Sequence, residues 1–308
     1  MMEPSEGNSG GGLMDMVVFP DRVPLPEVPG TPRRPSTWRG VGAFLFWSVA
    51  QTVPFVPAGG RLDPAAFKPL LPPVAGFAYG VLLAAAFVWW FAGRGGAEAE
   101  YRRDTFRLRG VSANALARLP LVAVPLMVMT VASLVLVPRL IPVPPQRDTL
   151  LEAYAKMPFG IPAILAIAAV VAPLLEEFFF RGWLLRLLER RFPAGRAILF
   201  TAVIFSAAHF ELFGFPTRLL FGAVAGYVAW STRSIWPGVV LHGFYNATLL
   251  LGGTGGGRDV SEADLTRWAH TPGVFWPVAL VFALAGLVLV RALRSVAEAA
   301  REPDAVSS

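Results

Sequence analysis

The strongest constraint on this chain is a succession of eight apolar segments, at residues 41–57, 71–93, 119–141, 161–188, 197–213, 219–231, 235–251 and 273–293, of which 41–57 and 219–231 are short. A helix that crosses the hydrocarbon core of a bilayer needs about 20 apolar residues, with a range of about 17–25. Backbone amides in hydrocarbon must be satisfied within their own element, so segments of this kind fold as helices. The expected fold class is all-α, a polytopic membrane bundle of about eight helices. Composition agrees: 55% of the residues are hydrophobic and 16% charged, against about 25% charged in soluble domains.

The loop charges orient the bundle. With the N-terminus inside, 18 of the Lys and Arg residues fall in inside segments and 8 in outside loops, leaving Arg181 within a span. Basic residues gather in cytoplasmic loops, so both termini are expected in the cytoplasm. The net charge of +6 is then an orientation signal, and no nucleic-acid partner is expected. The absence of cysteine excludes thiol catalysis and a disulfide scaffold. Only Lys68 and Lys156 are lysines in a chain rich in Arg, Ala, Gly and Pro. That usage suggests a GC-rich bacterial genome, hence a bacterial inner membrane.

Residues 1–38 read as a disordered cytoplasmic tail, 39–294 as a single transmembrane domain with its core at 161–251, and 295–308 as a second cytoplasmic tail. Segment 98–118 fits two readings equally: an amphipathic surface helix through Leu108, Val111, Leu116 and Leu119, or a solvated loop. The glycine-rich run at 252–257 reads as a flexible loop, and His270 as an interfacial surface residue.

Ionisable groups inside a span are costly, so each points to a function. Glu177 and Arg181 are four apart and share a helix face, which allows an ion pair. Glu176 is rotated by about 100° from Glu177 and has no such local partner. A desolvated carboxylate of this kind suits a general base. In 197–213, Phe205 lies one turn before His209, and Ser206, Ala207 and Ala208 suit close approach of another helix. His209 is expected well within that span. In 235–251, His242 and Asn246 are four apart, and Gly243 lets another backbone come near. That donor pair suits an oxyanion hole, or interhelical hydrogen bonding alone. Ser206 lacks a separate activator, and neither Gly-x-Ser-x-Gly nor His-Glu-x-x-His occurs.

The ordered set Glu176-Glu177-x-x-x-Arg181, Phe205-x-x-x-His209 and His242-x-x-x-Asn246, on separate spans, resembles the CPBP (CAAX prenyl endopeptidase and bacteriocin-processing, or Abi) family of intramembrane proteases. The resemblance implies a glutamate endopeptidase. In it Glu176 activates a water, His209 helps to hold that water, His242 and Asn246 polarise the scissile carbonyl, and Glu177, Arg181 and Phe205 support the site. It implies no cofactor. A zinc-dependent version, matching the family label of metalloendopeptidase, would use Glu176, His209 and His242 as ligands. The expected partners are the lipid bilayer and a membrane-anchored protein or peptide substrate, such as a bacteriocin-like leader, a sorting signal or a membrane-bound regulator. A non-catalytic membrane scaffold and a proton-coupled transporter are the competing readings. The absence of paired half-repeats with broken helices argues against the transporter.

Overall fold

The computed structural model describes residues 106–144, 157–254 and 260–301, with scattered positions between 42 and 86. The tail at 1–38, most of the segments at 41–57 and 71–93, the end of the glycine run and residues 302–308 lie outside the described residues. Helices dominate, in keeping with the all-α expectation, and one small hairpin is added to them. Two short antiparallel strands, β1 (Phe55–Pro57) and β2 (Phe67–Pro69), pair with Val56 opposite Lys68. The apolar segment at 41–57 therefore ends as a strand. Pro54 and Pro57 lack the amide hydrogens a helix end would use, and proline is tolerated at the ends of edge strands.

Eight helices follow among the described residues: α1 (Ala113–Ala117), α2 (Leu119–Leu136), α3 (Gly160–Glu189), α4 (Ala194–Ala207), α5 (Phe215–Thr232), α6 (Trp236–Thr254), α7 (Glu262–His270) and α8 (Pro272–Ala299). Three stretches are long and apolar enough to cross a membrane: Ala113–Arg139, Gly160–Glu189 and Pro272–Ala299. Helix α4 is a shorter apolar helix. Glycines, hydroxyls, His242 and Asn246 dilute the apolar character of α5 and α6.

Helix α2 packs along α8, and α4 along α5, while α3 meets α6 with its first half and α4 and α5 with its second. The α4–α5 contact uses small residues. Gly222 and Gly226 on α5 face Ala202 and Ile198 on α4, so close that a Cβ on Gly222 would lie 3.0 Å from the Ala202 Cα. Residues four apart on each helix thus mesh as a small-xxx-small seam. The close approach expected around Ser206–Ala208 is made one and two turns earlier. Ser206 is buried and its hydroxyl donates to the Phe215 carbonyl at 2.7 Å, while Ala207 is exposed.

Helix α3 is one rod with two π-helical segments, Ile167–Val171 and Phe178–Leu184. Such widened turns are disfavoured in a plain helix and recur at functional sites. Helix α8 runs on past residue 293 to Ala299 and buries Val296, Ala297 and Ala299.

Segment 98–118 follows neither sequence reading over residues 106–112 and is helical only at α1, Ala113–Ala117. Residues 106–112 are not helical, and Phe106 and Arg107 are buried. Phe106 stacks on Phe178 at 4.7 Å, and Arg107 donates to Glu189 Oε1 at 2.6 Å. Burial draws the Arg107 guanidinium below its usual pKa, and Glu189 opposes that shift. The backbone is satisfied by the α5–α6 turn: Ile235 N–H donates to the Arg107 carbonyl, the Ser234 hydroxyl to Arg109, and the Trp236 indole to Leu108. Those tertiary partners replace the helical ones, so the segment is a tucked strap.

Helix α7 has no counterpart among the eight apolar segments. It starts on a capping box in which the Ser261 hydroxyl accepts from Asp264 N–H and the Asp264 carboxylate accepts from Ser261 N–H.

Candidate active site

The chemistry-bearing residues of α3 sit between the two π segments and within the second. Glu177 and Arg181 are both fully buried, and Arg181 Nη1 donates to Glu177 Oε1 at 2.8 Å. The ion pair expected from the four-residue spacing is therefore present. Arg181 Nη2 also reaches the Gly222 carbonyl at 3.4 Å. Its guanidinium carbon lies 4.5 Å from the centroid of the Phe205 ring, within cation–π range.

Helix α6 brings His242 to the same carboxylate. His242 Nδ1 lies 2.9 Å from Glu177 Oε1, and Nε2 lies 3.8 Å from Glu176 Oε2. The imidazole is thus held between the two glutamates, one facing each nitrogen. Glu177 Oε1 accepts from Arg181 and from His242, so Nδ1 carries a proton and Nε2 faces Glu176. His242 is 3% exposed, and the Glu176 side chain 16%. Glu177 Oε2 packs beneath Gly238 in the first turn of α6, where a Cβ would lie 2.9 Å from it. Glycine at 238 lets the helix start settle onto the carboxylate.

One turn further along α6, Asn246 Nδ2 donates to the Ala168 carbonyl at 2.8 Å, inside the first π segment of α3. A Cβ on Gly243 would fall on the Ala169 carbonyl oxygen, far inside any distance real side chains adopt. The close backbone approach expected at Gly243 is present, and its partner is the π segment.

His209 lies two residues beyond the last residue of α4, in a turn, not within a helical span as expected. The reason is local: Phe210 has φ +52°, a left-handed conformation that ends the helix. The turn is locked by Glu211, whose carboxylate accepts from Gly214 N–H at 2.8 Å and from Arg218 at 2.6 Å. His209 Nδ1 donates to the Phe205 carbonyl at 2.8 Å. A carbonyl only accepts, so Nδ1 carries a proton, and in the neutral ring Nε2 is the acceptor.

Phe205 ties the three motifs together. Its ring centroid lies 4.9 Å from that of His209 and 5.9 Å from that of His242, with Arg181 against it. Phe221 lies 4.5 Å from His242 and 4.8 Å from Tyr245, whose hydroxyl pairs with Thr130 at 3.0 Å. All seven residues singled out in the sequence, Glu176, Glu177, Arg181, Phe205, His209, His242 and Asn246, therefore share one neighbourhood.

Sequence reasoning missed Gly238, Phe221, the Gly222 carbonyl and the Ala168 carbonyl. Gly238 carries a faint signal as a glycine one turn before His242. The others act through backbone or plain aromatic packing and leave no trace in residue type.

The metal-ligand alternative, Glu176 with His209 and His242, has a measurable requirement: three donors converging on one point. Among the described residues, no group of three or more His, Asp or Glu side chains is arranged to hold a metal ion. The His242 Nδ1 and His209 Nδ1 atoms are already engaged by Glu177 and Phe205.

No curated protein and no solved structure matches the chain. Residues 158–248, which contain every residue of this cluster, match the family of type II CAAX prenyl endopeptidases, Rce1-like.

Proposed function

We propose that the protein is an intramembrane endopeptidase that cleaves a peptide bond of a membrane-anchored protein or peptide by glutamate-activated water attack. The observation that carries this reading is the His242 imidazole held between Glu177 and Glu176. It joins a base candidate to a hydrogen-bond donor beside the Phe205 and Phe221 rings.

In this mechanism Glu176 takes a proton from water as the oxygen attacks the scissile carbonyl carbon. His209 Nε2 accepts a hydrogen bond from that water and orients it. The carbonyl π electrons move to oxygen, and His242 and Asn246 donate to the oxyanion. For His242 to donate through Nε2 the ring must be an imidazolium, a charge that the flanking Glu177 and Glu176 carboxylates support. Collapse breaks the C–N bond, and Glu176 returns its proton to the leaving amine. Glu177, paired with Arg181, keeps His242 in register. Phe205 spaces the two imidazoles.

The decisive experiment compares membrane and secreted proteomes of wild type with Glu176→Ala and His209→Ala strains. A precursor that accumulates in both, with the protein inserted at normal levels, names the substrate and the cut site. Retained processing in either strain overturns the mechanism, and an unchanged Glu176→Ala phenotype is what a non-catalytic scaffold would produce. Chelation provides a separate arm. Activity lost to a chelator and restored by zinc would establish the metal-dependent version. A bacterial inner membrane is the proposed location.

A further inference from the structure

Two independent contacts join α6 to the first π segment of α3. The Asn246 amide donates to the Ala168 carbonyl at 2.8 Å, and Gly243 seats against the Ala169 carbonyl. Both carbonyls belong to Ile167–Val171, where the ladder widens from i→i+4 to i→i+5. A π segment behaves as an α-helix with one residue inserted, and it turns the backbone on either side by about 100°. The carbonyls meeting α6 and the carboxylates of Glu176 and Glu177 lie on opposite sides of the segment's end at Val171. Without the extra residue, one helix could not present both sets to α6 in their present register.

We infer that the Ile167–Val171 π segment is a positioning device for the oxyanion donors. It presents the Ala168 carbonyl that fixes the Asn246 amide, while the following turns present Glu176 and Glu177 to His242. A carbonyl only accepts, so it decides which end of the amide faces α3. Asn246 Nδ2 carries two hydrogens. One is committed to Ala168, and the second is left at a fixed angle for the substrate oxygen. This also unites the two sequence readings of Asn246: the interhelical bond is what makes the catalytic donor rigid. The inference rests on the proteolytic reading of the site.

Deletion of Val170, which is 60% exposed, tests it by restoring an α-helical ladder without removing a buried side chain. The assay uses proteoliposomes and the precursor whose processing stops in the Glu176→Ala strain, and kcat and KM are measured alongside thermal unfolding. The expected result, in protein that still unfolds cooperatively, is a similar KM and kcat lower by about 10²–10³-fold, the cost of losing one oxyanion donor. Asn246→Ala should show the same loss, and the two changes combined should lose no more than either alone. Full turnover after the deletion, or losses that multiply in the double variant, would overturn the inference. A segment that serves packing alone would instead leave the kcat of the folded protein intact, whatever its unfolding temperature. If the deletion variant does not fold, Gly243→Ala carries the test with the same expectations, since its Cβ displaces α6 from the Ala169 carbonyl. Full activity in Asn246→Ala itself would refute the oxyanion role and not the geometry, so the two failures are distinguishable.

Discussion

Replacing Arg181 by Met should destabilise the protein strongly, and adding Glu177→Met should restore much of that loss without restoring activity. The magnitudes follow from the pair's geometry. At 2.8 Å and an effective dielectric constant of about 20, the gross attraction is about 6 kcal/mol. Taking both ions out of water costs several kcal/mol each. The intact pair is therefore close to break-even, although both side chains are completely buried. Removing Arg181 alone is different. It strands the Glu177 carboxylate in an apolar interior with only His242 to answer it, and it removes the cation from the Phe205 ring. Breaking a buried pair in this way costs about 3–5 kcal/mol, and the lost cation–π contact about 1 kcal/mol more. Two methionines of similar volume leave no charge to desolvate. The assay is thermal unfolding in detergent, followed by the fluorescence of the nine tryptophans, with cleavage measured in parallel. Arg181→Met should unfold well below wild type, and the double variant well above Arg181→Met. Both outcomes hold only if the pair is desolvated as described. An Arg181→Met variant as stable as wild type, or a double variant no more stable than the single, would refute the reasoning.

Other expectations are narrower. Gly238→Ala places a methyl group 2.9 Å from Glu177 Oε2, so it should lower kcat through a displaced carboxylate, with less change in unfolding temperature than Arg181→Met. Ser206→Ala should retain cleavage, because that hydroxyl is a buried donor to the Phe215 carbonyl; its loss of activity would reopen a serine mechanism. Phe106→Ala should cost about 3–5 kcal/mol by emptying the stack on Phe178, readable as a lower unfolding temperature. The Asp264 carboxyl is held below its usual pKa, first by the Ser261 hydroxyl and then by the Ser261 amide. Its contribution to α7 is therefore fully present above the ordinary carboxylate pKa and lost as pH falls through the lowered one. Protection of the α7 amides, relative to their intrinsic exchange rates, should be unchanged from neutral pH down to about pH 4 and fall only below that. Asp264→Asn should show the lower protection already at neutral pH.

The spacing of residues on single helices already determined much of this protein. Apolar length alone marked α2, α3 and α8 as membrane-crossing candidates, because hydrocarbon leaves a backbone no alternative to internal hydrogen bonds. The Glu177–Arg181 pair was legible because it is local, and the seat at Gly243 because only a missing Cβ permits such an approach. Tertiary structure alone decided how the motifs meet. Nothing in the residue order says that His242 lies between two glutamates, that Asn246 is bound to a main-chain carbonyl of α3, or that residues 106–109 tuck against the α5–α6 turn. Those contacts depend on where two π segments turn one helix and on where Phe210 ends another. Backbone geometry of that kind is set by packing between elements, so residue type carries almost no record of it.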